Sequence, residues 1–477
     1  MVIVRSGLFS LAGTALRASV QIAANVVVAR LLGPDAYGTA ATVLALGIVL
    51  ELVRNSGFAA VVLRSGDQPN AVMVALHRAS TLIGVLLAAV VGCAGLAVLV
   101  AVPGVPYGPL LLVVGMAFPL AGFVAVPVAG MARRHEMARV VAIESVAVVL
   151  GAVVSIVLAL AGVGPLAVVA QVLVLWAVVA VGVVAVRAVP RGAPAPWVEV
   201  RSMAGLARDV SLVQLVSLVA RAGDRVLAAV LFGPAASGLY VQAMQLMTLP
   251  LDQIGAAVQR IAVPALAAAE ADPRRRYRQL VRMVTLLAWP VLTLLGVLAE
   301  PVVRLLFGAA WIGSAGLLPF LAVAGGAQAA GFSAVWYFVA SGRSGRQLRW
   351  ALVAQPVVIA GIAVGAQWGL RGMAAGYAAT CVVLVVPAFL VSTWGTSLRL
   401  RDLAVSVVPA ATASGVAALA AVAARDVVSS DPAGGVLLPA VLGVAAAGLV
   451  SVAFPTVRGV LHRPLLRGLP SATGRGR

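Results

Sequence analysis

Residues 8–63 read LFSLAGTALRASVQIAANVVVARLLGPDAYGTAATVLALGIVLELVRNSGFAAVVL. Two apolar runs meet at a single Gly-Pro pair, and each is long enough as a helix to cross a hydrocarbon core of roughly 30 Å. Membrane strands alternate polar and apolar residues, so continuous runs of this length predict helices. The few polar residues recur at helical spacing: Arg17, Gln21 and Asn25 at i, i+4 and i+8, then Glu51, Arg54 and Asn55 at i, i+3 and i+4.

The same pattern continues through the remainder of the 477 residues. Apolar windows fall near 8–32, 37–63, 80–103, 109–131, 140–162, 165–186, 210–232, 237–263, 283–306, 314–341, 350–369, 372–395, 403–424 and 436–456. They predict an all-α integral membrane protein of about fourteen transmembrane helices. Composition agrees, with 62% hydrophobic and 10% charged residues, against roughly a quarter charged in a soluble domain. Gly7 to Leu32 is too long for the apolar core of a signal peptide and reads as the first span.

A net charge of +19 raises nucleic-acid binding, but the placement of the charge argues otherwise. The basic residues are all Arg, and every second loop is rich in them: Arg64 and Arg78; Arg133, Arg134 and Arg139; Arg187, Arg191, Arg201 and Arg208; Arg274 to Arg276, Arg278 and Arg282; Arg343, Arg346 and Arg349; Arg399 and Arg401. The opposite loops carry chiefly Arg371 and Arg425. This alternation places the Arg-rich loops and both termini in the cytoplasm, and the chain in the plasma (cytoplasmic) membrane. His77, His135 and His462 then fall in cytoplasmic loops, and Tyr107, Trp311 and Trp394 read as interfacial anchors. Gly325, Gly331 and Gly361 read as sites of close helix contact.

Cys93 and Cys381 lie inside apolar windows, so neither a disulfide framework nor a metal site is expected. No GxxxxGK[ST] loop and no HExxH occurs, so ATP, cofactor and metal chemistry are not expected.

Leu31-Leu32-Gly33-Pro34 with Gly38 recurs as Leu231-Phe232-Gly233-Pro234 with Gly238, 200 residues on. Each copy closes one span and opens the next, at spans one to two and seven to eight. An even number of spans separates them, so the halves are parallel repeats about an axis along the membrane normal. The expected organisation is a six-helix lobe over 1–187, a Pro-rich cytoplasmic linker over 188–209 and a second six-helix lobe over 210–396. Residues 397–477 then supply two extra helices and a tail.

Charge at membrane depth is costly, about 2.5–3.5 kcal/mol at a helix centre, and marks function by default. The excess sits in spans one, two, seven and eight: Arg17, Gln21, Asn25 and Arg54, then Arg221, Asp224 and Arg225, then Asp252 and Arg260 with several Gln residues. Glu144 and Glu300 are placed near span ends, where snorkelling lowers the cost. On that placement Arg17, Arg225 and Arg260 exceed the available acids, and a surplus of guanidinium groups suits an anionic cargo. The alternative is that Glu51 with Arg54 and Arg221 with Asp224 are structural ion pairs.

The chain resembles the oligosaccharide flippases of the MOP superfamily, relatives of the MATE exporters. The residues responsible are Arg30 to Pro34 with Tyr37 and Gly38; Asp224-Arg225, Gly233-Pro234, Gly238, Tyr240 and Pro250; Leu305 to Gly308 with Trp311; and Ser341-Gly342-Arg343. The resemblance implies two pseudo-symmetric six-helix bundles plus two C-terminal helices, with spans one, two, seven and eight lining a central cavity. It implies a non-enzymatic transporter that flips polyprenyl-pyrophosphate-linked oligosaccharide outward by alternating access. Membrane lipids, a polysaccharide polymerase and glycosyltransferases would be its partners. Arg17, Arg54, Arg221, Arg225 and Arg260 would hold the pyrophosphate or acidic sugars. A lipid II flippase, a MATE-type exporter and an integral-membrane glycosyltransferase or polymerase are the alternatives.

Overall fold

The computed structural model describes residues 2–45, 62, 69–267, 272–427 and 434–453. The helices are α1 (Val2–Ala45), α2 (Asn70–Ala101), α3 (Tyr107–Gly115), α4 (Ala117–Arg133), α5 (Met137–Leu160), α6 (Leu166–Ala185) and α7 (Trp197–Ala267). There follow α8 (Pro273–Val297), α9 (Ala299–Leu306), α10 (Ile312–Ala315), α11 (Leu318–Ala340), α12 (Ser344–Ala366), α13 (Gly369–Thr393), α14 (Leu400–Val427) and α15 (Gly434–Ala453). Thirteen of the fourteen expected windows coincide with described helix, α3 and α4 together forming one of them. Of the second window, only 37–45 and Val62 are described. Among the described residues ten helices, α3 and α4 counted as one, are long and apolar enough to span a membrane. The outer faces of the helices are hydrocarbon: Val100, Leu419 and Leu449 are 79%, 72% and 75% exposed. Apolar belts of this extent are stable in lipid and aggregate in water, so the chain is a multi-pass membrane protein.

Two compact units divide the chain, Met1–Val241 and Gln242–Arg477. In the first, α1 lies on α5, α5 on α6, and α2 on α4. Small residues let the backbones close: Ser80 Oγ of α2 donates to Gly122 O of α4 at 2.7 Å. The connection after α6 is folded back onto α2, where Ala195 N–H donates to Ala71 O at 2.9 Å and Asn70 Nδ2 to Arg191 O at 2.6 Å. Ala195 thereby joins Val72, Leu76 and Val126 in one apolar cluster.

In the second unit, α8 packs on α14, α14 on α15, and α13 on both α11 and α12. Leu294 of α8 and Leu298, just past its end, meet Ala413, Ala417 and Ala421 of α14 and Ala447 of α15. At one end of this unit the Arg-rich connections converge. Arg278 Nε donates to Asp402 Oδ1 at 2.7 Å, and Arg274 Nε to Ser397 O at 2.7 Å. Arg343 Nη1 and Arg346 Nη1 donate to Trp394 O at 3.0 and 3.2 Å. Carbonyls left open where α13 ends are thus satisfied by guanidinium groups.

Three expectations about single residues change. His77 is not in a loop, because α2 begins at Asn70; its ring is buried edge-on against Phe123, centroids 4.9 Å apart. Trp311 is not an interfacial anchor but fully buried beside Phe307, under the short helices that follow α8. Gly331 has open space where a Cβ would point, whereas Gly325 and Gly361 do sit against neighbouring side chains.

In the second unit α12 and α13 pack closely: a Cβ added at Gly365 or Gly376 would stand 2.3 or 2.2 Å from a facing carbonyl oxygen. Gly365→Ala and Gly376→Ala are expected to destabilise by about 1–3 kcal/mol through forced separation. Gly331→Ala meets nothing and gains helix propensity. Thermal unfolding in detergent checks this, with the two packed variants melting below the parent and Gly331→Ala at or above it.

Candidate functional site

The site is built around two broken helices. Gly33 interrupts α1 at φ 72°, ψ 174°, and Gly233 interrupts α7 at φ 85°, ψ 174°. A positive φ there suits glycine, and the following Pro has no N–H to return to the preceding turn. The two kinks have nearly the same backbone conformation, as the 200-residue repeat requires.

Each kink is held by a side chain that reaches back twelve residues. Tyr37 Oη donates to Asn25 Oδ1 across the first, and Ser237 Oγ donates to Arg225 O at 3.3 Å across the second. These four residues are pairwise equivalent at the same offset, Asn25 with Arg225 and Tyr37 with Ser237. The duplication therefore extends to the bonds that fix the bends.

The kinks also meet one another within the first unit. A Cβ on Gly38 would lie 1.8 Å from Pro234 O, and one on Gly238 would lie 2.2 Å from Pro34 O. Each glycine thus seats the carbonyl of the other copy's proline. Thr42 Oγ1, bonded to Gly38 O at 2.8 Å, lies 3.5 Å from Ser237 Oγ.

The expected site residues fall in both units. Arg17 Nη1 donates to Glu144 Oε2 of α5, forming an ion pair within the first unit. This corrects one point of the sequence reading: Arg17 is not surplus to the acids, because Glu144, seven residues inside α5, is its partner. Gln21 is half-buried on the same face of α1, and Asn25 is engaged by Tyr37. Asp224 is buried, and its Oδ1 accepts the Arg225 N–H at 2.7 Å. Arg225 is half-buried. Arg54 and the side chain of Arg221 lie outside the described residues. Asp252 and Arg260 are exposed on α7 within the second unit.

Residues that the sequence reading missed are Glu144 as the partner of Arg17, Ser237, and the anchoring role of Tyr37. Glu144 was detectable as the one acid within the apolar window 140–162. The second unit also has an open apolar cavity of about 770 Å³ between α8, α11, α13 and α14, lined by residues including Trp289, Gly326, Val386 and Val407. Trp289 Nε1 donates to Gly326 O at 2.9 Å, so the polar atom of its ring is already satisfied.

Comparison with known proteins fits this architecture. Residues 27–316 match the family described as polysaccharide biosynthesis protein. No curated protein matches by sequence. Among solved structures, the lipid II flippase MurJ in an inward closed conformation superposes with a TM-score of 0.75, at 12% identity, covering 95% of this chain and 99% of that one. An inward-facing multidrug-resistance MATE transporter of the MOP superfamily gives 0.64 at 16% identity, covering 84% and 99%. A MOP superfamily transporter from Pyrococcus furiosus, whose binding pocket is described as of reverse polarity, gives 0.55 at 18% identity, covering 84% and 95%.

Thr42→Cys with Ser237→Cys is expected to form a disulfide on mild oxidation, because the two oxygens are 3.5 Å apart. With a protease site inserted at 192, the cut fragments should stay joined until reductant is added. Adding Gly38→Ala should slow the cross-link, since the new methyl collides with Pro234 O. Equal rates with and without that methyl would mean that the glycine seat is not what brings the kinks together.

Proposed function

We propose, on the premise that the chain belongs to the polysaccharide biosynthesis protein family, that it flips a polyprenyl-pyrophosphate-linked oligosaccharide across the plasma membrane. Movement is from the cytoplasmic to the external leaflet, by alternating access, with no bond made or broken. The observation that carries this reading is the pair of kinked helices bearing Arg17, Asp224 and Arg225 among apolar spans. Ionisable residues placed so in a membrane line a polar pathway or face the bundle interior. A guanidinium group is suited to phosphate, which it can grip by two parallel hydrogen bonds.

The apolar cavity of the second unit supports a lipid-linked cargo, because its walls match a hydrocarbon chain. Arg17, Arg54, Arg221, Arg225 and Arg260 are the residues assigned to the anionic head, with Gln21 and Asp252 at the same polar faces. With Glu144 counted beside Glu51, Asp224 and Asp252, the five arginines retain a surplus of one. That balance favours an anion over the cations of a drug exporter. Lipid II is the second reading, since the flippase with the matching fold is named for it.

In proteoliposomes, fluorescent polyprenyl-pyrophosphate oligosaccharide should change leaflet only when the protein is present, and unlabelled oligosaccharide lipid should compete better than lipid II. The reverse order of competition would favour the second reading. Arg225→Gln should abolish flipping with normal insertion. Recovery of flipping in Asp224→Asn/Arg225→Gln would reduce Arg225 to a structural partner of Asp224.

Moving net negative charge outward across an inside-negative membrane releases about 2.3 kcal/mol per charge per 100 mV. An imposed potential should therefore accelerate flipping, and indifference to it would point to electroneutral exchange. Orientation has its own check. Reporters active only outside the cell should light up after Gly104, Gly233 or Asp431 and stay dark after Arg134, Arg191 or Arg276.

A further inference from the structure

Arg17 and Glu144 are 127 residues apart, on α1 and α5, yet their side chains form an ion pair. Glu144 lies about 10 Å along α5 from Met137. The two side chains keep 21% and 19% of their surface exposed. In a chain whose outer faces are hydrocarbon, ionised groups left that open face a polar cavity rather than lipid. The pair is therefore accessible to an incoming solute.

Paired in this way, Arg17 presents almost no net field, since its charge is matched within hydrogen-bonding distance. A neutral solute has no means of separating the two ions. A diphosphate does: it offers several oxygens and more than one negative charge, and it matches the guanidinium fork better than a carboxylate does. Resting on the cargo assignment above, we infer that Glu144 is an internal counter-ion that holds Arg17 in the empty transporter and yields it to the phosphate of the cargo. Glu144 is thus a positioning residue that need not touch the cargo. It sets a threshold of negative charge below which solutes are refused. By re-pairing with Arg17 it also favours release.

The role has a signature that a purely structural ion pair lacks, because removing the competitor should tighten binding. The full-length protein in detergent is titrated calorimetrically with geranyl diphosphate. Glu144→Gln should bind it about tenfold more tightly than the parent, and Arg17→Gln should bind it more weakly. Arg17→Gln/Glu144→Gln should be no tighter than Arg17→Gln alone. In flipping assays Glu144→Gln should lower both KM and kcat, as release slows.

Should Glu144→Gln fail to elute as a monodisperse protein, Glu144→Asp keeps the charge and shortens its reach. It is expected to tighten binding about two- to threefold. Folded Glu144 variants with unchanged or weaker affinity would overturn the counter-ion role and leave the cargo assignment standing. Absence of binding in every variant, the parent included, would overturn the cargo assignment and this role with it.

Discussion

The first unit is organised by one close approach, in which Gly38 seats the carbonyl of Pro234 and Gly238 seats that of Pro34. The arrangement is reciprocal because each copy of the repeat supplies both halves of the fit. A side chain at either glycine would overlap a backbone oxygen, and a backbone cannot move aside as a flexible side chain can. The kinks at Gly33 and Gly233 bring those glycines face to face, and the bonds from Tyr37 to Asn25 and from Ser237 to Arg225 fix the bends. Backbone fit, kink and polar latch therefore form one device. The polar residues before each kink take their positions from it.

Those polar residues obey the constraint that lipid imposes on charge. Arg17 is matched by Glu144, and Asp224 accepts a backbone N–H. Each arrangement lowers the cost of an ion at membrane depth, which would otherwise oppose insertion. Among the described side chains these polar positions are close to neutrality, with Arg17 matched by Glu144 and Asp224 followed directly by Arg225.

Much of this was legible in the chain. The apolar windows and the Gly-Pro repeat are local signals, read from residue type and spacing; thirteen of the fourteen windows reappear as described helices, and the repeat as matching kinks. What stayed hidden depends on partners distant in sequence. The pairing of Glu144 with Arg17 left no mark in the chain, because the two lie on different helices. Trp311 looked like an interfacial anchor because aromatic residues near span ends usually are; it is fully buried beside Phe307 instead. Gly331 and Gly361 are indistinguishable by residue type, and only the neighbour decides which is packed. The cavity of the second unit was not readable at all, since an apolar side chain facing lipid and one facing a cavity leave the same pattern.

The duplication is exact in the backbone and unequal in charge, and the inequality is informative. At the 200-residue offset Asn25 corresponds to Arg225 and Gln21 to Arg221, so amides in the first copy stand where the second carries guanidinium groups. Arg17 in turn corresponds to Ser217. Where both copies serve the kink they keep the same bond and change only the groups that make it: an amide oxygen accepts in one, a backbone carbonyl in the other. That substitution frees the second position from using its side chain as the latch, and the residue found there is an arginine.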